Sequence, residues 1–136
     1  MTPKGDASPD TVKERAKEML RRSMQPLMLD ALADPKTVEL ILNADGKLWL
    51  ERLGERMKCI GKVAPSRAEA IVKAVAGYHS KEVTRSSPVL EGEFPLDGSR
   101  FAGQMPPIVP APTFAIRKRA VAIFTLEQYV ASGITV

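Results

Sequence analysis

The sequence contains very little cysteine and histidine, with one residue of each type, Cys59 and His79. A single cysteine cannot form a disulfide within the chain, which indicates a reducing compartment. A four-ligand zinc site and a nucleophilic triad with a histidine base both need more of these residues, so neither is expected. We interpret His79 as a structural or surface histidine and Cys59 as a small buried residue of a strand.

Long hydrophobic runs are also missing from the 136 residues. The apolar runs are only a few residues long, whereas a helix that crosses a bilayer needs about 20. The first ten residues are polar and lack the apolar segment of a signal peptide. The sequence therefore predicts a soluble protein, and the cytoplasm is the simplest compartment for it.

Phosphate-binding loops of the P-loop type are missing as well. Two glycine–lysine pairs occur, at 46–47 and 61–62, but neither lysine is followed by serine or threonine. Five positions before the two glycines stand Ile41 and Arg56, where the pattern requires glycine. The backbone cradle that grips phosphates is therefore not expected at either place.

The composition that remains is typical of one globular domain, with 44% apolar and 26% charged residues. The hydrophobic pattern predicts helices at 9–25, 27–33 and 66–79 and a further short one from Phe124, with Ser66 and Glu69 spaced as a capping box. It predicts strands at 38–42, 48–53, 57–60, 89–94, 99–104 and 113–118. Together they predict an α+β fold, in which helices flank a mostly antiparallel sheet of about six strands and the third helix covers the first three.

The segment from Asp97 to Arg119 holds four basic residues against one acid, within a chain of net charge +4. Arg100 opens one predicted strand and Arg117 closes the next, so a hairpin-like connection would bring the two near one edge of the sheet. Two guanidinium groups placed there would suit a phosphate. Alternatively, each makes a surface ion pair or covers apolar surface with its stem.

Four segments resemble the N-terminal domain of the TrbB-type conjugative-transfer ATPases, which belong to the traffic ATPases of type IV secretion systems. They are Asn43-x-Asp-Gly-Lys-Leu-Trp-Leu-Glu-Arg-Leu-Gly, Gly98-Ser-Arg-Phe-x-Gly-x-x-Pro-Pro, Phe114-Ala-Ile-Arg-Lys and Phe124-Thr-Leu-x-x-Tyr. The resemblance runs from about residue 10 onward. The order and spacing of the four segments are more specific than any one segment alone.

The resemblance implies a homohexameric ring at the cytoplasmic face of the inner membrane, working with other type IV secretion subunits. ATP would lie between this domain and a RecA-like C-terminal domain that carries the P-loop and most of the Mg²⁺ ligands, and hydrolysis would drive pilus assembly and substrate transfer. Arg100 and Arg117 match the arginines that reach the phosphates, and Lys118 and Tyr129 are secondary candidates.

The resemblance also implies a division of the chain. It places the N-terminal α+β domain at 9–124 and the start of a linker to the C-terminal domain at 125–136. Residues 1–8 hold proline, glycine and charge with almost no apolar content, and their composition predicts a disordered tail. Because the sequence ends at Val136, before any P-loop, it is expected to be a fragment or a truncated gene product and to hydrolyse no ATP alone.

Two other functions stay open from the residues. One is a basic nucleic-acid-binding module, although aromatic residues for base stacking are few and are not interleaved with basic ones. The other is a docking module for a membrane or for secretion subunits, using the amphipathic helix at 9–25. That helix has interspersed acids, which fits an ordinary packed helix as well.

Overall fold

The computed structural model describes residues 9–118 and has three helices and six strands in that range. The helices are α1 (Pro9–Ser23), α2 (Pro26–Ala33) and α3 (Pro65–Tyr78). The strands are β1 (Thr37–Leu42), β2 (Lys47–Arg52), β3 (Lys58–Lys62), β4 (Val89–Glu93), β5 (Arg100–Gln104) and β6 (Thr113–Arg117). The predicted α+β class is confirmed. The expected tail at 1–8, the helix from Phe124 and the linker at 125–136 lie outside the described residues.

Prolines set the starts of the second and third helices. Pro26 occupies the first turn of α2, where its missing N–H costs no hydrogen bond, and it separates α2 from α1 as predicted. Pro65 begins α3 in the same way, with Ala64 at the cap position. The predicted capping box of Ser66 and Glu69 is therefore wrong, because the helix starts before Ser66 and its N-cap makes no side-chain hydrogen bond.

The sheet has the order β3-β2-β1-β6-β5-β4, and every neighbouring pair is antiparallel. Strands β1 and β6 lie in the middle, so the first three strands and the last three form two halves that meet along the β1–β6 pair. Strands β3 and β4 are the two edges.

One face of the sheet carries the core. Leu40 and Leu42 of β1 are opposed by Ile116 and Phe114 of β6, and all four are buried. Phe101 of β5 continues this layer, and its ring stacks on that of Phe114 with centroids 5.8 Å apart. This face is the one on which the helices pack.

The helices divide that face between them. Helix α2 contacts β1, and Leu27 of α2 lies close to Gly61 of β3. Helix α3 packs mainly on α1 and β6, and Val72 of α3 lies beside Gly103 of β5. The expectation that α3 covers the first three strands is wrong, because α2 already occupies that half. No helix within residues 9–118 covers the opposite face, which we call the open face.

Cys59 is exposed, so the expectation of a buried cysteine is wrong. It lies on the edge strand β3, opposite Trp49 of β2, and no other strand of residues 9–118 lies on its outer side. His79 follows α3 directly, and its Nε2 lies 2.8 Å from the backbone oxygen of Glu93. This contact joins the end of α3 to the end of β4, as a structural histidine would.

Asp34 joins the end of α2 to the end of β2. The backbone N–H of Lys36 donates to its Oδ1 at 2.9 Å, and Arg52 Nε donates to its Oδ2 at 3.0 Å. The Lys36 hydrogen bond, with a smaller contribution from the Arg52 charge, holds the pKa of Asp34 below its ordinary value of 3.8, although desolvation opposes the shift. The charged carboxylate therefore stabilises the folded state above about pH 4.

We expect Asp34→Asn to lower the free energy of unfolding at pH 7 and to lower it less as the pH falls below 4. A lowered folded-state pKa gives stability that is present above the unfolded pKa and is lost as the pH falls through the folded pKa. Urea denaturation at several pH values between 7 and 2 measures this difference. Asp30→Asn, an exposed position on α2, is the control. A penalty for Asp34→Asn that stays constant over this range would contradict the interpretation.

Candidate functional site

A turn between β4 and β5 sets the position of Arg100 and the face of the sheet on which it lies. Gly98 has a φ of +77°, a conformation that glycine adopts without strain, and its N–H donates to the backbone oxygen of Phe94 at 2.9 Å. Asp97 Oδ1 accepts the N–H of Ser99 at 2.9 Å. The turn therefore ends so that Phe101 enters the core face and Arg100, the first residue of β5, faces the other way.

Arg100 and Arg117 are direct cross-strand partners in the β5–β6 pair. The sequence predicted that a hairpin would bring them together, and the register does so. Directly opposed residues of an antiparallel pair have Cβ atoms about 5 Å apart, and like charges at that spacing repel. An anion that both guanidinium groups contact would offset the repulsion between them.

The two arginines belong to a line of charged residues that crosses the open face. We call it the charged row, and it consists of Glu93, Arg100, Arg117, Glu39 and Glu51, one from each of β4, β5, β6, β1 and β2. The two basic residues lie in the middle, with acids on both sides.

Arg117 has an acidic partner in the charged row. Its Nη1 lies 3.3 Å from Oε1 of Glu39 on β1, which is both a hydrogen bond and an ion pair. The Arg117 side chain is 59% exposed, whereas that of Glu39 is only 18% exposed. The carboxylate is thus the better-packed member of the pair.

Arg100 has neither an ion pair nor a side-chain hydrogen bond to any other residue in the range 9–118. Glu93 is its direct neighbour on β4, but the Glu93 carboxylate turns toward Gly98. A Cβ atom built onto Gly98 would lie 3.3 Å from Oε2 of Glu93. The Glu93 carboxylate therefore makes no ion pair with the Arg100 guanidinium. Arg100 is therefore an exposed cation of the charged row that has no acidic partner among residues 9–118.

Lys118, a secondary candidate, is placed apart from the charged row. Its Nζ lies 3.3 Å from Oδ2 of Asp97 and donates to the backbone oxygen of Leu32 at the end of α2. Its side chain is only 16% exposed. Through these two contacts Lys118, the last described residue, is held against the end of α2 and the β4–β5 turn. Tyr129, the other secondary candidate, lies outside the described residues.

Beside the charged row the open face forms a shallow depression of about 340 Å³. Its floor is made by small residues, with Ala102 and Ala115 as direct partners, and its rim includes Ile41 and Gln104. Trp49 of the same face has a buried Nε1 for which residues 9–118 supply no acceptor.

Metal-ligand clusters of three or more His, Cys, Asp or Glu residues do not occur in the described part of the chain. None of the helices α1, α2 and α3 is long and apolar enough to cross a membrane. What the described residues offer chemically is a pair of permanently charged donors and no acid–base pair or nucleophile arranged for catalysis.

Sequence reasoning missed the three acids of the charged row, and Glu39 is the one of them that pairs with Arg117. Its position in the predicted strand 38–42 marks it as a residue of the face opposite Leu40, because side chains alternate along a strand. The missing information was the β1–β6 pairing, which joins residues 78 positions apart. No local pattern in the sequence carries that pairing.

The chain is 40% identical over 124 residues to a probable conjugal transfer protein TrbB of Sinorhizobium fredii (strain NBRC 101917 / NGR234), which covers 88% of this chain and 38% of the relative. It is 39% identical over 115 residues to the conjugal transfer protein TrbB of Rhizobium radiobacter, which covers 85% of this chain and 36% of the relative. The chain thus spans a little more than a third of the length of these curated relatives. No family profile matches it.

The fold is similar to that of the VirB11 ATPase from the Brucella suis type IV secretion system, whose crystal structure is in complex with sulphate. The TM-score is 0.75, the likeness covers 90% of this chain and 37% of that chain, and the sequence identity is 22%. At this identity the likeness establishes a shared fold. The two curated relatives confirm the resemblance to TrbB-type proteins.

Proposed function

We propose that this chain is the N-terminal domain of a type IV secretion ATPase, because it is 40% and 39% identical over most of its length to two TrbB conjugal transfer proteins. In this proposal the open face lines one side of the ATP cleft, and Arg100 and Arg117 contact the phosphates. Hydrolysis is carried out by a P-loop domain and drives pilus assembly and substrate transfer.

The observation that carries the proposal is the direct pairing of Arg100 with Arg117 on the face that no helix of residues 9–118 covers, with Arg100 lacking a partner in the same range. Like charges directly opposite each other on neighbouring strands destabilise a sheet, and a binding function would explain why this domain carries them. A phosphate between them would accept hydrogen bonds from both guanidinium forks and cancel the repulsion. Such donors stabilise negative charge that develops on a transferring phosphoryl group.

The remaining parts of the proposal concern the whole protein. Residues 9–124 form the N-terminal domain and 125–136 begin the linker to a RecA-like domain that supplies the P-loop and most Mg²⁺ ligands. The protein assembles as a homohexamer, contacts other type IV secretion subunits and associates with the cytoplasmic face of the inner membrane. The similarity to two conjugal transfer proteins supports this setting.

We expect the 136-residue chain to bind inorganic pyrophosphate through the arginine pair. Arg100→Ala and Arg117→Ala should each weaken binding about tenfold, since a hydrogen bond to a charged group contributes about 1.5–3 kcal/mol. Isothermal titration calorimetry at low ionic strength measures the dissociation constants. Arg85→Ala, which removes an exposed arginine outside the charged row, is the matched control.

The proposal fails if pyrophosphate does not bind, or if Arg85→Ala weakens binding as much as the other two substitutions. Equal losses would mean that net charge alone attracts the anion. Salt dependence distinguishes the two cases further, because a diffuse attraction is screened at 0.15 M ionic strength, where the Debye length is about 8 Å.

A docking module is the second candidate function. The observation that favours it is the centre of the open face, where Trp49 and Ile41 are only partly buried by the described residues. In this alternative the arginines are surface residues and the open face contacts a secretion subunit. Unchanged pyrophosphate affinity in both arginine variants would favour this candidate. Binding to nucleic acid has no comparable observation within residues 9–118, since the two arginines share their row with three acids.

A further inference from the structure

Arg117 stands between two competing neighbours on the open face. On β5 its direct partner is Arg100, which repels it, and on β1 its direct partner is Glu39, which attracts it. The single contact to Glu39, at 3.3 Å from Nη1 to Oε1, draws the guanidinium toward β1. An anion held by both arginines has to lie toward β5, on the other side of Arg117.

Burial decides which member of the ion pair can move. The Glu39 side chain is 18% exposed and packs within the sheet, whereas the Arg117 side chain is 59% exposed. A long arginine stem has several rotatable bonds, so the guanidinium can turn from β1 to β5 while the carboxylate stays in place. Within residues 9–118, Arg117 is also the only ion-pair partner of Glu39, whose neighbour on β2 is the acid Glu51.

We propose that Glu39 is a positioning residue that holds Arg117 away from Arg100 and competes with phosphate for its guanidinium. This inference rests on the proposed function, in which the two arginines bind a phosphate group. Without an anion, the Glu39 contact separates the two like charges. When phosphate arrives, Arg117 exchanges the carboxylate for the phosphate oxygens, so Glu39 lowers the affinity of the site for the anion.

The test is the affinity of the 136-residue chain for inorganic pyrophosphate in variants of Glu39. Glu39→Gln keeps the length of the side chain and removes the charge, and we expect about threefold tighter binding, as exposed ion pairs of this kind are weak. Glu39→Asp retains the charge, and its affinity should stay close to that of the wild type. A gain in affinity is a change that damage to the fold would not produce.

Glu51→Gln is the matched control. It removes the same charge from the same row of the same face, one strand further from Arg117. Neighbouring strands lie about 4.8 Å apart, so Glu51 is about twice as far from Arg117 as Glu39 is. We expect this variant to change pyrophosphate affinity much less than Glu39→Gln does.

Double variants show whether Glu39 acts through Arg117. The gain from Glu39→Gln should disappear in the Arg117→Ala background and remain in the Arg100→Ala background. A gain that persists without Arg117, or the absence of any gain in the single variant, overturns the inference. If Glu39→Gln does not fold, the NMR signal of Arg117 Nε in the wild-type chain gives the answer. That signal must shift on pyrophosphate addition, and an unshifted signal overturns the inference as well.

The outcomes separate the inference from the function beneath it. If Arg100→Ala and Arg117→Ala weaken pyrophosphate binding but Glu39→Gln leaves it unchanged, the proposed function stands and the role of Glu39 is refuted. If neither arginine variant affects binding, the proposed function fails and the inference fails with it.

Discussion

We expect Arg100→Ala and Arg117→Ala each to lower steady-state ATP hydrolysis tenfold or more in a chimera in which this chain replaces the aligned part of the Rhizobium radiobacter TrbB protein. Tenfold corresponds to about 1.4 kcal/mol of lost transition-state stabilisation. In the proposed function each substitution removes a cationic donor near the phosphoryl group, where negative charge develops during transfer. We expect the turnover number to fall more than the Michaelis constant rises.

The chimera needs two controls. Light scattering shows whether the assembly stays intact in each variant, since a lost ring would also lower turnover. Arg85→Ala provides the matched loss of an exposed arginine away from the charged row. Unchanged hydrolysis in both arginine variants, with the assembly intact, would make the domain a docking platform. The 136-residue chain alone is expected to show no hydrolysis above that of a mock purification.

Phe101→Ala should lower the free energy of unfolding by about 3–5 kcal/mol, the usual cost of replacing a buried phenylalanine with alanine. The Phe101 side chain is fully buried, and its ring stacks between Phe94 at 6.0 Å and Phe114 at 5.8 Å between centroids. Its ring carbon Cε2 would lie 2.9 Å from a Cβ added at Gly103, so little free space surrounds it. Urea denaturation measures the change.

Ile108→Ala is the control for this prediction, because Ile108 is 52% exposed and its loss should change stability by about 0.5 kcal/mol or less. Arg100 is adjacent to Phe101 in the chain but faces the other side of β5. Arg100→Ala should therefore leave stability nearly unchanged, or raise it slightly by removing the repulsion from Arg117. A loss of several kcal/mol in Arg100→Ala would mean that the guanidinium has a structural role.

The elements that sequence reasoning located well are those with local signals. Proline marked the break between α1 and α2, and alternating leucines marked β1 and β2 on either side of an Asn-Ala-Asp-Gly turn. Such signals depend on a few neighbouring residues, which is why the strands and helices fall close to their predicted positions.

Apart from the capping box of α3, the features that sequence reasoning placed wrongly or missed depend on distant contacts. The location of α3 depended on how much of the core face α2 had already covered, and the exposure of Cys59 depended on β3 being an edge strand. The partner of Arg117 depended on the β1–β6 pairing. The proximity of Arg100 and Arg117 was predicted correctly, because the two residues lie on adjacent strands of one hairpin.

The central place of β6 in the sheet has a consequence for how the chain folds during synthesis. Strands β1 to β3 can pair as soon as they leave the ribosome, but β1 lacks its second neighbour until Thr113–Arg117 has emerged. Until then Leu40 and Leu42 lack the Ile116 and Phe114 side chains that cover them. A nascent chain stalled before residue 113 thus exposes an incomplete sheet to which chaperones or other strands can bind. The sheet is completed only when β1 pairs with β6, a contact between residues far apart in the sequence.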